Sequence, residues 1–251
     1  MSVTTHERPG VYSEYDASSV VQGRQGRKMV GMAAIHATAP AGVPQTVTSY
    51  EGALIAFGST GGQDMTELIR LALKNGAAGV VAVPVADDEG YEAAFAALAA
   101  MDDIGVVICD SVDREVQQSL RDSAAAASAA RRERIAVAAG GAGETVTELL
   151  ERAKALNSER VVLVAPGGTD EEGKAVSGLS LAAAVAGAIA GTTDPALPLG
   201  GAVLSGLYGL ETTYGDNDLD LLIRGGVTPA ERTGGVTSVV RGVTTRTTTR
   251  S

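Results

Sequence analysis

The chain has 251 residues, 45% of them apolar, with a single cysteine, no tryptophan and a net charge of −10. That length accommodates one large domain with appendages or two small ones, and either buries a real core. The acidic balance disfavours a general affinity for nucleic acid or anionic membrane, since both need clustered Lys and Arg, and a lone Cys109 closes no internal disulfide.

Residues 1–27 read as an extended N-terminal arm. They hold Pro9, Gly10, Gly23 and Gly26 with few large apolar side chains, and only the stretch from Val11 to Tyr15 alternates as a strand does. A segment of this kind forms no core alone. Nothing in it combines a basic start, an apolar stretch and a cleavage site, so the expected place of synthesis is the cytoplasm.

Residues 28–198 read as an α/β core domain. Apolar runs at 29–36, 79–85, 104–109, 135–139 and 160–165 are short, rich in Val or Ile and apolar on both faces, as strands of a sheet covered on both sides are. Between them lie helix beginnings. Thr48 with Glu51, Asp64 with Glu67 and Thr145 with Glu148 each have the spacing of a capping box. From Val146 the positions Leu149, Leu150, Ala153 and Leu156 share one helical face, with Glu148, Glu151, Arg152 and Lys154 elsewhere. Asn75 and Gly76 stop the earlier helix just before a strand. Strand and helix alternate about four times, which predicts a largely parallel sheet with helices on both faces and right-handed crossovers. The Ala- and Gly-rich stretch around 181–190 is shorter than the ~20 residues of a membrane-spanning helix and reads as a buried one.

Residues 199–251 read as a glycine-rich linker, a short helix at 217–224 and the start of a C-terminal β region. The run from Gly235 to Thr249, GVTSVVRGVTTRTTT, is dense in β-branched residues and has no obvious partner strand nearby in sequence. Charge divides the chain the same way: residues 1–28 carry a net +1 and residues 226–251 a net +3, leaving −14 for the middle. An acidic body with basic ends suits arms that reach onto an oppositely charged surface, and equally suits two solvated tails.

Parallel α/β sheets bind ligands at the loops that follow their strands. The glycines of Gly140-Gly141-Ala142-Gly143-Glu144 precede a helix, so they either cradle a phosphate or turn the chain tightly. Pro166-Gly167-Gly168-Thr169-Asp170 has the same two readings, with an acidic continuation that favours the plain loop. Asp102, Asp103, Asp110 and Asp113 flank both ends of one strand instead of converging as a hard cation's ligands do. His36 at a strand end is the one histidine available to a Ser-His or Cys-His pair, no Gly-x-Ser-x-Gly elbow occurs, and zinc spacing is absent. Cys109 in an apolar strand is expected to be inert. No cofactor, no metal and no catalytic residue is expected.

Three stretches resemble the tail sheath family of contractile phages and phage-like bacteriocins: ERPGVYSEYDASSV at 7–20, VTSYEGALIAFG at 47–58, and the descent from Asp218 through Gly225-Gly226-Val227 to GVTSVVRGVTT at 235–245. The resemblance implies subunits stacked as rings into a cylinder around an inner tail tube protein, with terminal arms lending strands to neighbouring copies. Pro9, Gly10, Val11, Tyr12 and Tyr15 then belong to the donated arm, and Val236, Val239, Val240 and Val243 to a second region of inter-subunit contact. Strand addition of this kind supplies main-chain hydrogen bonds. The implied partners are other copies, the tube, and baseplate and terminator components, in a virion tail assembled in the bacterial cytoplasm. Members of the family continue past the Arg-Gly-Val-Thr-Thr strand into a further domain and arm, which the resemblance implies is lacking here. Two rivals stand beside this reading: a nucleotide-binding α/β enzyme using Gly140 to Glu144, and a terminator or baseplate adaptor that binds a sheath without forming one.

Overall fold

The first apolar run becomes β1 (Met29–Ile35), buried along Val30, Met32, Ala33 and Ala34 as a central parallel strand requires. A turn leads to the short β2 (Gln45–Val47) and then α1 (Tyr50–Phe57), capped by Ser49, whose hydroxyl accepts the Gly52 N–H at 3.0 Å. The expected Thr48–Glu51 pair is thus displaced by one position, because Ser49 holds the extended backbone that a cap needs. In α2 (Met65–Lys74) the cap is the expected Asp64, accepting the Glu67 N–H at 2.8 Å. Gly76 at φ 124° then redirects the chain into β3 (Val80–Val85).

The alternation continues through α3 (Tyr91–Ala99), β4 (Ile104–Cys109), α4 (Arg114–Ala129), β5 (Ile135–Ala139), α5 (Val146–Leu156) and β6 (Val161–Ala165). At α5 the capping box is complete: Thr145 Oγ1 accepts the Glu148 N–H at 3.3 Å, and the Glu148 carboxylate accepts the Thr145 N–H at 2.8 Å. The remaining elements are β7 (Gly168–Thr169), β8 (Ala175–Val176), α6 (Leu179–Gly191), β9 (Val203–Leu204), β10 (Gly209–Leu210), α7 (Asp216–Arg224), β11 (Val227–Thr233) and β12 (Val236–Val239). This computed structural model describes residues 26, 28–193 and 197–248. The expected arm residues Pro9, Gly10, Val11, Tyr12 and Tyr15 lie outside the described residues.

Nine strands form one sheet in the order β2-β3-β1-β4-β5-β6-β11-β12-β9, parallel from β3 to β11, and β10-β7-β8 form a small second sheet. Helices α1, α2 and α6 cover one face of the large sheet, and α3, α4, α5 and α7 cover the other. The fold is therefore the expected α/β class. With so few aromatics, the layers close on small side chains: a Cβ added to Gly187 on α6 would lie 2.2 Å from the Ala72 carbonyl oxygen on α2. One turn further along, a Cβ at Gly191 would meet the Gly76 carbonyl oxygen at 2.8 Å.

The C-terminal region departs from expectation. Residues 199–248 do not stand apart from the core, because β11 extends the main sheet beside β6, pairing Val227 with Leu163. The C-terminal run also has a partner strand in its own chain. β12 pairs antiparallel with β11, from Ala230–Val239 to Thr233–Val236, across a two-residue turn in which Gly234 and Gly235 have φ 59° and 82°. Its other edge meets β9. Only 236–239 is strand. The chain then runs irregularly back over the sheet, with Val240 N–H on the Pro229 carbonyl at 2.9 Å and Thr245 N–H on the Val161 carbonyl at 2.9 Å.

Candidate functional site

In a doubly wound sheet the ligand crevice opens where successive connections diverge, here beside β1, whose neighbours β3 and β4 lie on opposite sides. Asp110, at the end of β4, fills that point. Its carboxylate accepts the Ile35 N–H at 2.9 Å and the Tyr91 hydroxyl hydrogen. Burial pushes the Asp110 carboxyl above the usual carboxylate range, while the Tyr91 hydrogen bond pulls it back. Burial, then the nearby Asp110, hold the Tyr91 phenol un-ionised. Cys109 is buried beside them, its thiol pushed up to about 12 by desolvation, so it carries no thiolate at neutral pH.

His36 is equally committed. Its Nε2 bonds the Phe57 carbonyl oxygen at 2.8 Å and its Nδ1 accepts the Ala39 N–H at 2.9 Å, so the ring bridges the β1 end to α1. The aspartates do not converge: Asp102 pairs with Arg132 at one end of β4, while Asp113 at the other end caps α4. Among the described residues no three metal-ligating side chains cluster, and no helix is long and apolar enough to cross a membrane.

The two glycine loops meet through a residue that the sequence did not single out. Glu211, from the segment after β10, accepts the Gly143 N–H at 2.8 Å and the Gly167 N–H at 3.0 Å, one on each carboxylate oxygen. Its own N–H donates to the Gly167 carbonyl at 3.0 Å. These donors are among those that would cradle a phosphate, and a carboxylate in their place repels one. The approach is close: a Cβ on Gly167 would lie 2.7 Å from Glu211 Cδ.

Behind the loop, Glu144 forms a bidentate ion pair with Arg152 of α5. The Arg152 side chain, which the sequence places off the apolar face of that helix, is only 6% exposed. Its remaining amine donates to the Val112 carbonyl at 2.7 Å and to Gln117 Oε1 at 3.1 Å, while Gln117 donates to the Ala139 carbonyl at 2.8 Å. A buried pair is stable only when such extra bonds satisfy it. The crest is thus laced by side chains of its own subunit.

Apolar surface lies elsewhere. On α1 the side chains of Tyr50, Leu54 and Ile55 face outward, Ile55 at 88% exposure. At the far edge of the sheet Val203 and Val236 are exposed, the latter at 48%, and Val240 and Val243 are half-buried. Val239 is 1% exposed and belongs to the subunit's own core, which corrects its expected place in a contact between copies. Opposite the crest, at the N-terminal ends of the strands, lies a groove of about 560 Å³ lined by Ile135, Val162, Ile189, Leu199 and Val243, with Lys28 and Arg160 beside them.

A doubly wound sheet whose ligand crest is laced by its own side chains, with apolar surface at its edges and far end, defines an α/β scaffold. The chain belongs to the phage tail sheath protein family: residues 85–245 match the model of the phage tail sheath protein central domain. Among solved structures it is similar to a sheath tail protein from Desulfitobacterium hafniense, at 14% identity and TM-score 0.71, over 95% of this chain and 75% of that one. It also resembles a sheath tail protein from Listeria innocua, at 11% identity and TM-score 0.69, over 89% and 70% of the two chains. A third likeness is to the helical sheath of the anti-feeding prophage in its contracted state, at 20% identity and TM-score 0.65, over 94% and 68%. At these identities the likeness is one of fold. A comparison with curated protein sequences finds no match.

Proposed function

We propose that the chain is a structural subunit of a contractile tail sheath. It associates with copies of itself into stacked rings around an inner tail tube, and the stack shortens to drive that tube through a cell envelope. The observation that carries this reading is the match of residues 85–245 to the sheath central domain, on a body with the fold of sheath proteins. The work is mechanical: the same subunits occupy a long and a short packing, and the energy difference resides in their interfaces. No cofactor or catalytic residue enters this account. The sheath sits in the tail, assembled in the host cytoplasm, with the baseplate at one end and a terminator at the other.

The N-terminal segment with Pro9, Gly10, Val11, Tyr12 and Tyr15 serves as an arm between copies, and Val236, Val240 and Val243 mark the second contact region. The Glu211 carboxylate on the Gly143 and Gly167 N–H groups weighs against the nucleotide-binding reading of the same loops.

Two substitutions in one short strand test the reading. Val236→Asp leaves thermal unfolding within a few degrees of the parent but lowers the assembled fraction seen by sedimentation velocity. Val239→Asp, which places a carboxylate in the core, abolishes cooperative unfolding altogether. Unchanged assembly in a folded Val236→Asp chain removes that edge from the contact.

A further inference from the structure

The groove opposite the crest has a feature that the sheath reading does not use. Gly26, the first described residue, lines it, so the preceding 25 residues leave the body at the groove itself. Its floor is apolar, formed by the strand ends at Ile135 and Val162 and by Ile189 of α6, while Lys28, Arg134 and Arg160 outweigh the one acidic group of the lining, Glu133, which pairs with Arg160, and leave the groove net positive. The segment from Pro9 to Asp16 complements both properties. In an extended conformation Val11 and Tyr15 fall on one face, and Glu14 and Asp16 bring two carboxylates.

We infer that in the free subunit this groove holds residues 9–16 of the same chain. The inference rests on the reading of that segment as an arm, but it concerns where the arm lies before any neighbour is present. Nine residues, 17–25, separate Asp16 from Gly26 and include Gly23. Extended, they span roughly 30 Å at about 3.3 Å per residue, which is ample for a reversal into the groove. Closing so short a loop costs little, and the tether gives the segment an effective concentration on the order of millimolar. At low subunit concentration the tethered segment therefore outcompetes one from another copy. Exchange begins when subunits are packed side by side, as on a growing ring, and the free subunit stays apart until then.

Cross-linking of the full chain tests this. Val11→Cys is combined in one variant with Leu197→Cys and in another with Thr244→Cys, on exposed and half-exposed positions of the two groove walls. Cys109 is buried and un-ionised, so it stays silent toward a short bis-maleimide, and single-cysteine chains check that. The expected result is a link within one chain in both variants, mapped by peptide mass, with a yield that does not change over a hundredfold dilution. Links only between two chains, rising with concentration, overturn docking within the subunit while leaving arm exchange standing. No link in either variant, with circular dichroism showing both folded, overturns the groove as the docking place. Loss of assembly, measured separately by sedimentation, is what bears on the sheath reading.

Discussion

The carboxylate of Glu211 accepts the backbone N–H of Gly143 at 2.8 Å across 68 residues of sequence. With the second bond, to Gly167 at 3.0 Å, it ties the segment after β10 to the crest of the main sheet.

Glu211→Ala leaves two donors without their partner and releases that segment. The expected cost is about 1–3 kcal/mol, read from urea unfolding, because hydrogen bonds to a charged acceptor are at the stronger end of the range. ATP or inorganic phosphate is not expected to raise the melting temperature of the parent chain, since its own carboxylate holds the site. A clear nucleotide-dependent rise favours the enzyme reading.

The contact of Gly187 with Ala72 predicts a sharp difference between glycines. Gly187→Ala forces a methyl to within 2.2 Å of a backbone oxygen, so α2 and α6 have to move apart, at a cost of about 2 kcal/mol or more. Gly191→Ala behaves similarly but less severely, at 2.8 Å. Gly215→Ala, with nothing within 4 Å and an ordinary φ of −76°, costs no more than about 1 kcal/mol, which is what alanine loses at the N-cap position that Gly215 holds for α7. Chemical denaturation of the three variants against the parent checks the order.

Asp110 makes stability depend on pH in a defined direction. Its folded pKa is raised by burial, so the folded state holds the proton more tightly than the unfolded one. Its contribution is therefore most favourable below the ordinary carboxylate range and is lost as pH rises through the folded pKa. Asp110→Asn has no such loss. The melting temperature of the variant relative to the parent should rise between about pH 4 and neutrality, near the unperturbed aspartate value and above it. Tyr91→Phe, which deletes the bond that pulls the pKa down, should move the parent's midpoint upward. A relative melting temperature that falls with pH contradicts the assignment.

Much of the body was legible because buried parallel strands leave a plain trace. The runs at 104–109 and 135–139 are apolar on both faces and became β4 and β5 with the same bounds. Thr145 and Glu148 announced α5 because both halves of a capping box lie within four residues. What failed was non-local or punctuated. β11 carries Pro229 and Glu231, which break the apolar signature, so its place beside β6 stayed hidden, and with it the partner of β12. The Gly234-Gly235 pair is the one local hairpin signal there, and it marks the β11–β12 turn without naming the sheet the hairpin joins. Arg152 shows the limit of periodicity, since a helical wheel places it among polar residues and only the tertiary position of Glu144 explains its burial. The glycine loops were visible as candidates, whereas Glu211, far along the chain, carries no local mark of its role.

Negative-stain electron microscopy of the purified chain across a range of concentrations decides whether it assembles as a sheath subunit does. The expected result is rings at intermediate concentration and striated tubes at high concentration. Separate particles of single-subunit size at every concentration would contradict it.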